Sequence, residues 1–204
     1  VSTEHYFSED PGVPLRKTTL TLSLRGHAVT VQSASGTFSP GQLDTGTAVL
    51  LKYAPILPAT GTFVDLGCGW GPLSLALALE SPAADVWGID VNERALAVAG
   101  DNAEHCGITT LTFATPEAYP NDVAIDVMWS NPPIRVGKQE LHALLGVWLP
   151  RLAHHGSAWL VVSKKLGADS LQDWINSGVV GDFEATRWET SRGFRVIRVT
   201  RRSS

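Results

Sequence analysis

The chain has 204 residues, 44% hydrophobic and 18% charged, with seven tryptophans and a net charge of −4. That apolar mass suits one compact unit and excludes a disordered chain, a disulfide scaffold and a collagen-like repeat. The net charge argues against a nucleic-acid partner but hides a split: five basic residues stand against fourteen acidic ones up to position 130, and eleven against six after it.

Residues Val1–Pro14 are polar and lack the apolar run of a secretory signal. Thr18–Leu24 alternates with period two, Arg25-Gly26 reads as a turn, and His27–Gln32 alternates again, which predicts a β-hairpin. A short helix is expected over Thr45–Tyr53, a strand over Phe63–Leu66 and an Ala/Leu helix over Pro72–Glu80. Asp85–Ile89 is the next strand, and Asn92 can cap a helix running to His105. Leu111–Ala114 and Ala124–Trp129 read as strands, Gln139–Ala153 as a helix with its leucines in register. Ala158–Ser163 is a strand, Ser170–Ile175 a helix, and Phe183–Glu189 and Phe194–Thr200 are strands around Ser191-Arg192-Gly193.

Strands alternating with helices predict an α/β fold with a mostly parallel, doubly wound sheet. The last two strands have no helix between them and must pair as an antiparallel hairpin. The expected organisation is a β-hairpin extension over residues 1–48, packed on one core unit over 49–204. No apolar run reaches the length of about 18 residues that a membrane helix needs. Cys68 and Cys106 lie in no metal-ligand spacing and read as reduced thiols of a cytoplasmic protein. His154-His155 is expected in a loop, with no third ligand nearby.

Val64-Asp65-Leu66-Gly67-Cys68-Gly69-Trp70-Gly71-Pro72 joins a strand to a helix. Glycines there let the backbone turn sharply and let a ligand approach, and the helix start offers free N–H groups to a carboxylate. Asp90, at the end of the next strand, can accept from both hydroxyls of a ribose. Pro72 stands where a dinucleotide fingerprint needs its third glycine, and Asp65 would repel a pyrophosphate. S-adenosylmethionine fits better, with an ammonium, a sulfonium and one carboxylate. A nicotinamide-dependent oxidoreductase is the poorer reading.

Ser130-Asn131-Pro132-Pro133-Ile134 follows the strand 124–129. In an open parallel sheet, ligands bind beyond the carboxyl ends of the strands, so Asp65, Asp90 and Asn131 converge on one cleft. A delocalised amine is a poor nucleophile. Two acceptors, the Asn131 side-chain oxygen and the Pro132 carbonyl, can aim its lone pair at an electrophile, while the prolines fix the backbone. No His or Cys is needed as a base before transfer. Arg135 and Lys138, directly downstream, and the arginines of the last hairpin could contact phosphates.

With these motifs the chain resembles the methyltransferase small domain family of class I S-adenosylmethionine-dependent methyltransferases. That group includes enzymes acting on guanine N2 of ribosomal RNA. The resemblance rests on His5–Ser8, Gly36–Ser39, Leu43–Thr47, Asp65–Gly71, Gly88–Asp90, Ser130–Lys138 and Gly193–Val196. It implies a seven-stranded sheet and S-adenosylmethionine as cofactor. It implies a site with Asn131, Pro132, Pro133 and Ile134 around the target amine. Cofactor contacts are expected from Asp65, Gly67, Cys68, Gly69, Asp90, Val91, Thr115 and Asn131, and substrate contacts from Phe38, Arg135 and Lys138. Where relatives carry Phe or Tyr after Asn-Pro-Pro, this chain has Ile134, which lacks a π-face. The implied activity is N-methylation of a guanine in ribosomal RNA, free or in a ribosomal subunit, with no metal and no membrane partner. A protein glutamine, a small amine, or a binding module without turnover are the alternatives. The charge split adds a spatial expectation: a basic rim on the Asn131 side of the cleft and an acidic cofactor side.

Overall fold

The computed structural model describes residues 16–36, 39, 41–132 and 137–202. Strands β1 (Lys17–Leu24) and β2 (His27–Ala34) form an antiparallel hairpin. Its turn places Arg25 and Gly26 at positive φ, 49° and 94°, the pattern of a two-residue turn that matches strand twist. There follow α1 (Thr45–Tyr53), β3 (Thr62–Leu66), α2 (Pro72–Glu80), β4 (Asp85–Ile89), α3 (Glu93–His105) and β5 (Leu111–Ala114). The chain continues through β6 (Ile125–Ser130), α4 (Lys138–Trp148), β7 (Leu152–Ser163), α5 (Ala168–Asn176), β8 (Phe183–Ser191) and β9 (Phe194–Arg201).

The main sheet has seven strands in the order β5-β4-β3-β6-β7-β9-β8. The first five run parallel, and β9 lies antiparallel to both β7 and β8. This is the α/β sheet with a terminal antiparallel hairpin that the alternation of elements predicts. The order reverses between β3 and β6, which leaves a crevice at their carboxyl ends.

Alternate strand residues feed two apolar layers. Phe63, Trp129, Trp159, Val161 and Val196 face one layer with α1, α2, α3 and the hairpin residues Leu24, Val29 and Val31. Val64, Leu66, Met128, Leu160 and Ile197 face the other, with Leu141, Leu145, Leu171 and Ile175 from α4 and α5. Most of these side chains are fully buried, which stabilises the fold by about 1.5–3 kcal/mol each.

The helix expected over Gln139–Ala153 ends earlier, at Trp148. Pro150 lacks an N–H and its ring blocks a further turn, so Leu149–Arg151 forms one 3-10 turn and β7 starts at Leu152. The strand is therefore longer than its apolar run. His154 and His155 sit exposed within it, not in a loop. A register shift between Ile125 and Val127 accommodates the extra length, and any Cβ on Gly156 would collide with the Ile125 carbonyl. Trp188, on β8, is 49% exposed. It stands edge-on to Trp159, with ring centroids 5.0 Å apart, and its indole N–H donates to the Tyr53 carbonyl at 2.9 Å.

One arginine ties the hairpin to the core. Arg25 donates from Nε to Glu80 at 2.6 Å and from its terminal nitrogens to the carbonyls of Leu51, Ala54 and Pro55 at 2.8, 2.9 and 3.1 Å. Both charged partners are largely covered. Breaking such a pair strands the other charge, so Arg25→Ala is expected to destabilise the fold by about 3 kcal/mol or more in a denaturant titration. Arg25→Lys, with one donor head for four acceptors, recovers only part of that.

Candidate functional site

The glycine loop begins where β3 ends. Gly67, Gly69 and Gly71 have φ of 76°, 56° and 91°, which explains the residue type at each position. Gly67 and Cys68 donate to the Ile89 carbonyl at 2.8 and 3.0 Å, binding the loop to the end of β4. A Cβ on Gly69 would meet nothing within 4 Å, so its face of the loop is open. Asp90 is tied in as well. Its two carboxylate oxygens accept from Gly69 N at 2.8 Å and Asn92 N at 2.9 Å. Burial raises the Asp90 pKa, and backbone donors from Asn92, Gly69 and Val91 oppose that rise.

Asp65 is fully buried. One of its oxygens accepts from both Ser74 N (2.8 Å) and Ser74 Oγ (2.6 Å), while the other, Oδ1, has no donor. Burial pushes its pKa from 3.8 to about 7, against the two Ser74 bonds and with added repulsion from Asp90. Cys68, also buried, is pushed well above its ordinary value by burial first and by Asp65 and Asp90 next, so it stays a neutral thiol.

Asn131 follows β6, whose last residue Ser130 is fastened to β3 by a 2.7 Å bond from Oγ to the Leu66 carbonyl. The Asn131 amide nitrogen donates to Asp44 Oδ2 at 2.7 Å and to Thr47 Oγ1 at 3.0 Å. A carboxylate can only accept, so the amide orientation is fixed. Both N–H groups are used inward, and Oδ1 remains as the acceptor. Asp44 does double duty as the N-cap of α1, accepting from Thr47 N at 3.1 Å. Space here is tight. A Cβ on Gly46 would sit 3.1 Å from both Asn131 Oδ1 and Phe194 Cε1.

Asp44, Thr47, Gly67, Gly69 and Asn131 line one cleft with Ser39 and Cys68, while Asp65 and Asp90 are tied to the same loop through Ser74 and Gly69. Across the sheet edge the order is Asp90, the glycine loop with Asp65, then Asn131. Val91 stands at the rim, 43% exposed. Thr115 lies beyond β5, just before a 3-10 turn over Pro116–Ala118. Pro132 is buried next to Asn131. Pro133, Ile134, Arg135, Phe38 and His5 lie outside the described residues. A larger cavity, about 470 Å³, opens at the opposite end of the sheet beside Pro55, Pro58, Asp126 and His155, away from all the predicted residues. Among the described residues, no cluster of three metal-ligating side chains occurs and no helix is long and apolar enough to cross a membrane.

The comparisons with known proteins agree with this geometry. Residues 28–198 match the methyltransferase small domain. The chain belongs to that family. A Bacillus subtilis relative, the uncharacterized protein YbxB, is 37% identical over 170 residues, covering 82% of this chain and 85% of its own length. Ribosomal RNA small subunit methyltransferase C of Pseudomonas entomophila is 30% identical over 186 residues, covering 88% of this chain and 53% of the relative. The chain thus spans about half the length of the ribosomal RNA methyltransferases it matches. Among solved structures, the Thermus thermophilus 16S rRNA N2 G1207 methyltransferase, in complex with AdoMet and guanosine, superposes with a TM-score of 0.75 at 21% identity. It covers 94% of this chain and 52% of the solved one.

Membership of this methyltransferase family and the AdoMet-bound neighbour both support S-adenosylmethionine as the cofactor. The residues around the glycine loop fit it on three counts: the buried Asp65 oxygen has no donor, Gly69 has an open face, and the apolar Val91 side chain beyond β4 is exposed. Asp65 could take the ammonium, Gly67 and Gly69 the methionine backbone, Asp90 the ribose and Val91 the base.

The expected basic rim is only partly built as the sequence suggested. Arg195 is buried and paired with Asp169. Arg201 bonds to the carbonyls of Pro150 and Leu152, and Arg202 to that of Asn176, at the far end of the sheet. Strand alternation and antiparallel direction disperse arginines that are close in sequence. Of the hairpin arginines, Arg192 alone sits exposed at the Asn131 end, in the β8–β9 turn. Lys164 and Lys165, which sequence reasoning passed over, stand beside it, with Lys164 N donating to the Gly193 carbonyl at 2.9 Å. Lys138 opens α4 and donates to Ser170 Oγ at 2.7 Å. Asp44 and Thr47 were visible only as part of a quoted motif, because their partner lies 87 and 84 residues away.

The raised Asp65 pKa has a signed consequence. The folded protein keeps a proton that the unfolded chain sheds near its ordinary 3.8, so this group's contribution to stability falls as pH rises from about 4 to about 7. A cationic ligand favours the ionised form. Calorimetric affinity for S-adenosylhomocysteine is therefore expected to rise with pH through about 7. Asp65→Asn is expected to flatten that profile and to lose about ten-fold in affinity.

Proposed function

We propose that this protein transfers a methyl group to the exocyclic N2 amine of a guanine in small-subunit ribosomal RNA. The observation that carries an amine acceptor is the fixed Asn131 amide. Its nitrogen is spent on Asp44 and Thr47, so the side chain offers the cleft an acceptor only. An acceptor there selects a substrate that brings N–H groups. The similarity to ribosomal RNA small subunit methyltransferase C supports guanine N2 within that class.

The bound cofactor supplies an electrophilic methyl on a sulfonium. The protein's part is placement. Asn131 Oδ1 and the Pro132 carbonyl hold the two amine protons and direct the nitrogen lone pair along the attack line. Ser130, anchored to Leu66, keeps that segment at the height of the glycine loop. Asn131 and Pro132 need only hold the amine in line, since the cofactor, when bound, would accept the electron pair of its S–C bond as a neutral thioether leaving group. The methylated nitrogen then carries an extra proton and releases it to water, so no side-chain base is required. Lys164, Lys165 and Arg192 could meet RNA phosphates on the acceptor side.

A labelled-methyl assay with small-subunit particles and naked ribosomal RNA, followed by nucleoside analysis, tests this reading. N2-methylguanosine is the expected product, and label confined to protein glutamine or to small molecules would overturn it. Asn131→Ala should lower kcat about 100-fold or more. Asp44→Ala should lower kcat about ten-fold, with affinity for S-adenosylhomocysteine retained.

A further inference from the structure

We propose that Phe194 is the aromatic face on which the target base stacks, in place of an aromatic residue after Asn-Pro-Pro. This rests on the reading above and adds to it a class of acceptor: a planar ring. Phe194 begins β9, where it pairs with Ser163 of β7. Its ring edge and Asn131 Oδ1 each lie 3.1 Å from where a Cβ on Gly46 would sit, so the ring edge packs close beside the Asn131 side chain. The ring is only partly buried.

Its side of the cleft matters most. From β4 to β9 the edge presents Asp90, the glycine loop, Asn131 and then Phe194. The cofactor fills the Asp90 side. An amine held by Asn131 must therefore carry the rest of its molecule toward β7 and β9, where Phe194 stands. An aromatic surface there suits a flat ring, which gains stacking energy on a π-face, better than the aliphatic stem of a glutamine. The exposed Lys164, Lys165 and Arg192 lie at the same end of the same strands, as a ring attached to a phosphate backbone would require.

The test compares Phe194→Leu and Phe194→Tyr with the unaltered protein on small-subunit ribosomal RNA. Leu keeps the apolar contact and removes the π-face, and Tyr keeps both. The expected result is a loss of about ten-fold in kcat/KM for the Leu variant, near-full activity for Tyr, and unchanged Tm and S-adenosylhomocysteine affinity in both. RNA methylation by the unaltered protein together with a Leu variant within two-fold of it would overturn the Phe194 role alone. A parallel loss of cofactor affinity or Tm in the Leu variant would assign the ring to packing and overturn it too. Methyl transfer to a glutamine peptide with none to RNA would overturn both this role and the function it rests on.

Discussion

Everything in the acceptor half of the cleft depends on one hydrogen-bonded contact, the Asn131 amide on the Asp44 carboxylate. The bond is 2.7 Å long and joins the segment before α1 to the end of β6. It fixes which atom of Asn131 faces the cleft, and it does so without ambiguity because a carboxylate has no proton to give. Asp44 is held in turn by its capping bond to the first turn of α1. The helix and the segment after β6 are thereby tied together. Arg25 extends the tie to the hairpin by gripping the carbonyls at the end of the same helix. Three short polar links thus join the hairpin, α1 and Asn131.

The two halves of the chain carry opposite charge for different reasons. The acidic half supplies the carboxylates of the cofactor side, and two of them, Asp65 and Asp90, are buried and raised in pKa. The basic half supplies Arg192, Lys164 and Lys165 beyond Asn131, while several of its arginines are bonded elsewhere in the fold. Arg195 neutralises Asp169, and Arg201 and Arg202 satisfy carbonyls. Of the hairpin arginines expected at the rim, Arg192 lies exposed beside Lys164, while Arg195, Arg201 and Arg202 are used elsewhere in the fold. Charge is conserved on folding, but direction is set by strand alternation.

Most of the fold was legible because its signals are local. Helix α2 and strands β4 and β5 begin and end where glycine, proline and apolar runs place them. The cofactor side was legible for the same reason, since the glycine loop is contiguous and Asp90 closes the next strand. The acceptor side was less so. Asp44 and Thr47 meet Asn131 across more than eighty residues, and Phe194 comes near Asn131 only because β9 inserts between β7 and β8. No periodicity encodes such a meeting. The end of α4 shows a different limit: leucine spacing continues past Trp148, but Pro150 outweighs it.

The unpartnered oxygen of Asp65 bears on what happens after the methyl group has gone. On the proposed reading it faces the ammonium of the donor, a group that methyl transfer leaves untouched. S-adenosylhomocysteine keeps that ammonium and loses only the sulfonium charge. On that reading, the Asp65 carboxylate would not distinguish spent donor from fresh. Turnover then depends on the part of the cleft that senses the sulfur, and the demethylated product is a competitor that the protein carries from one cycle into the next.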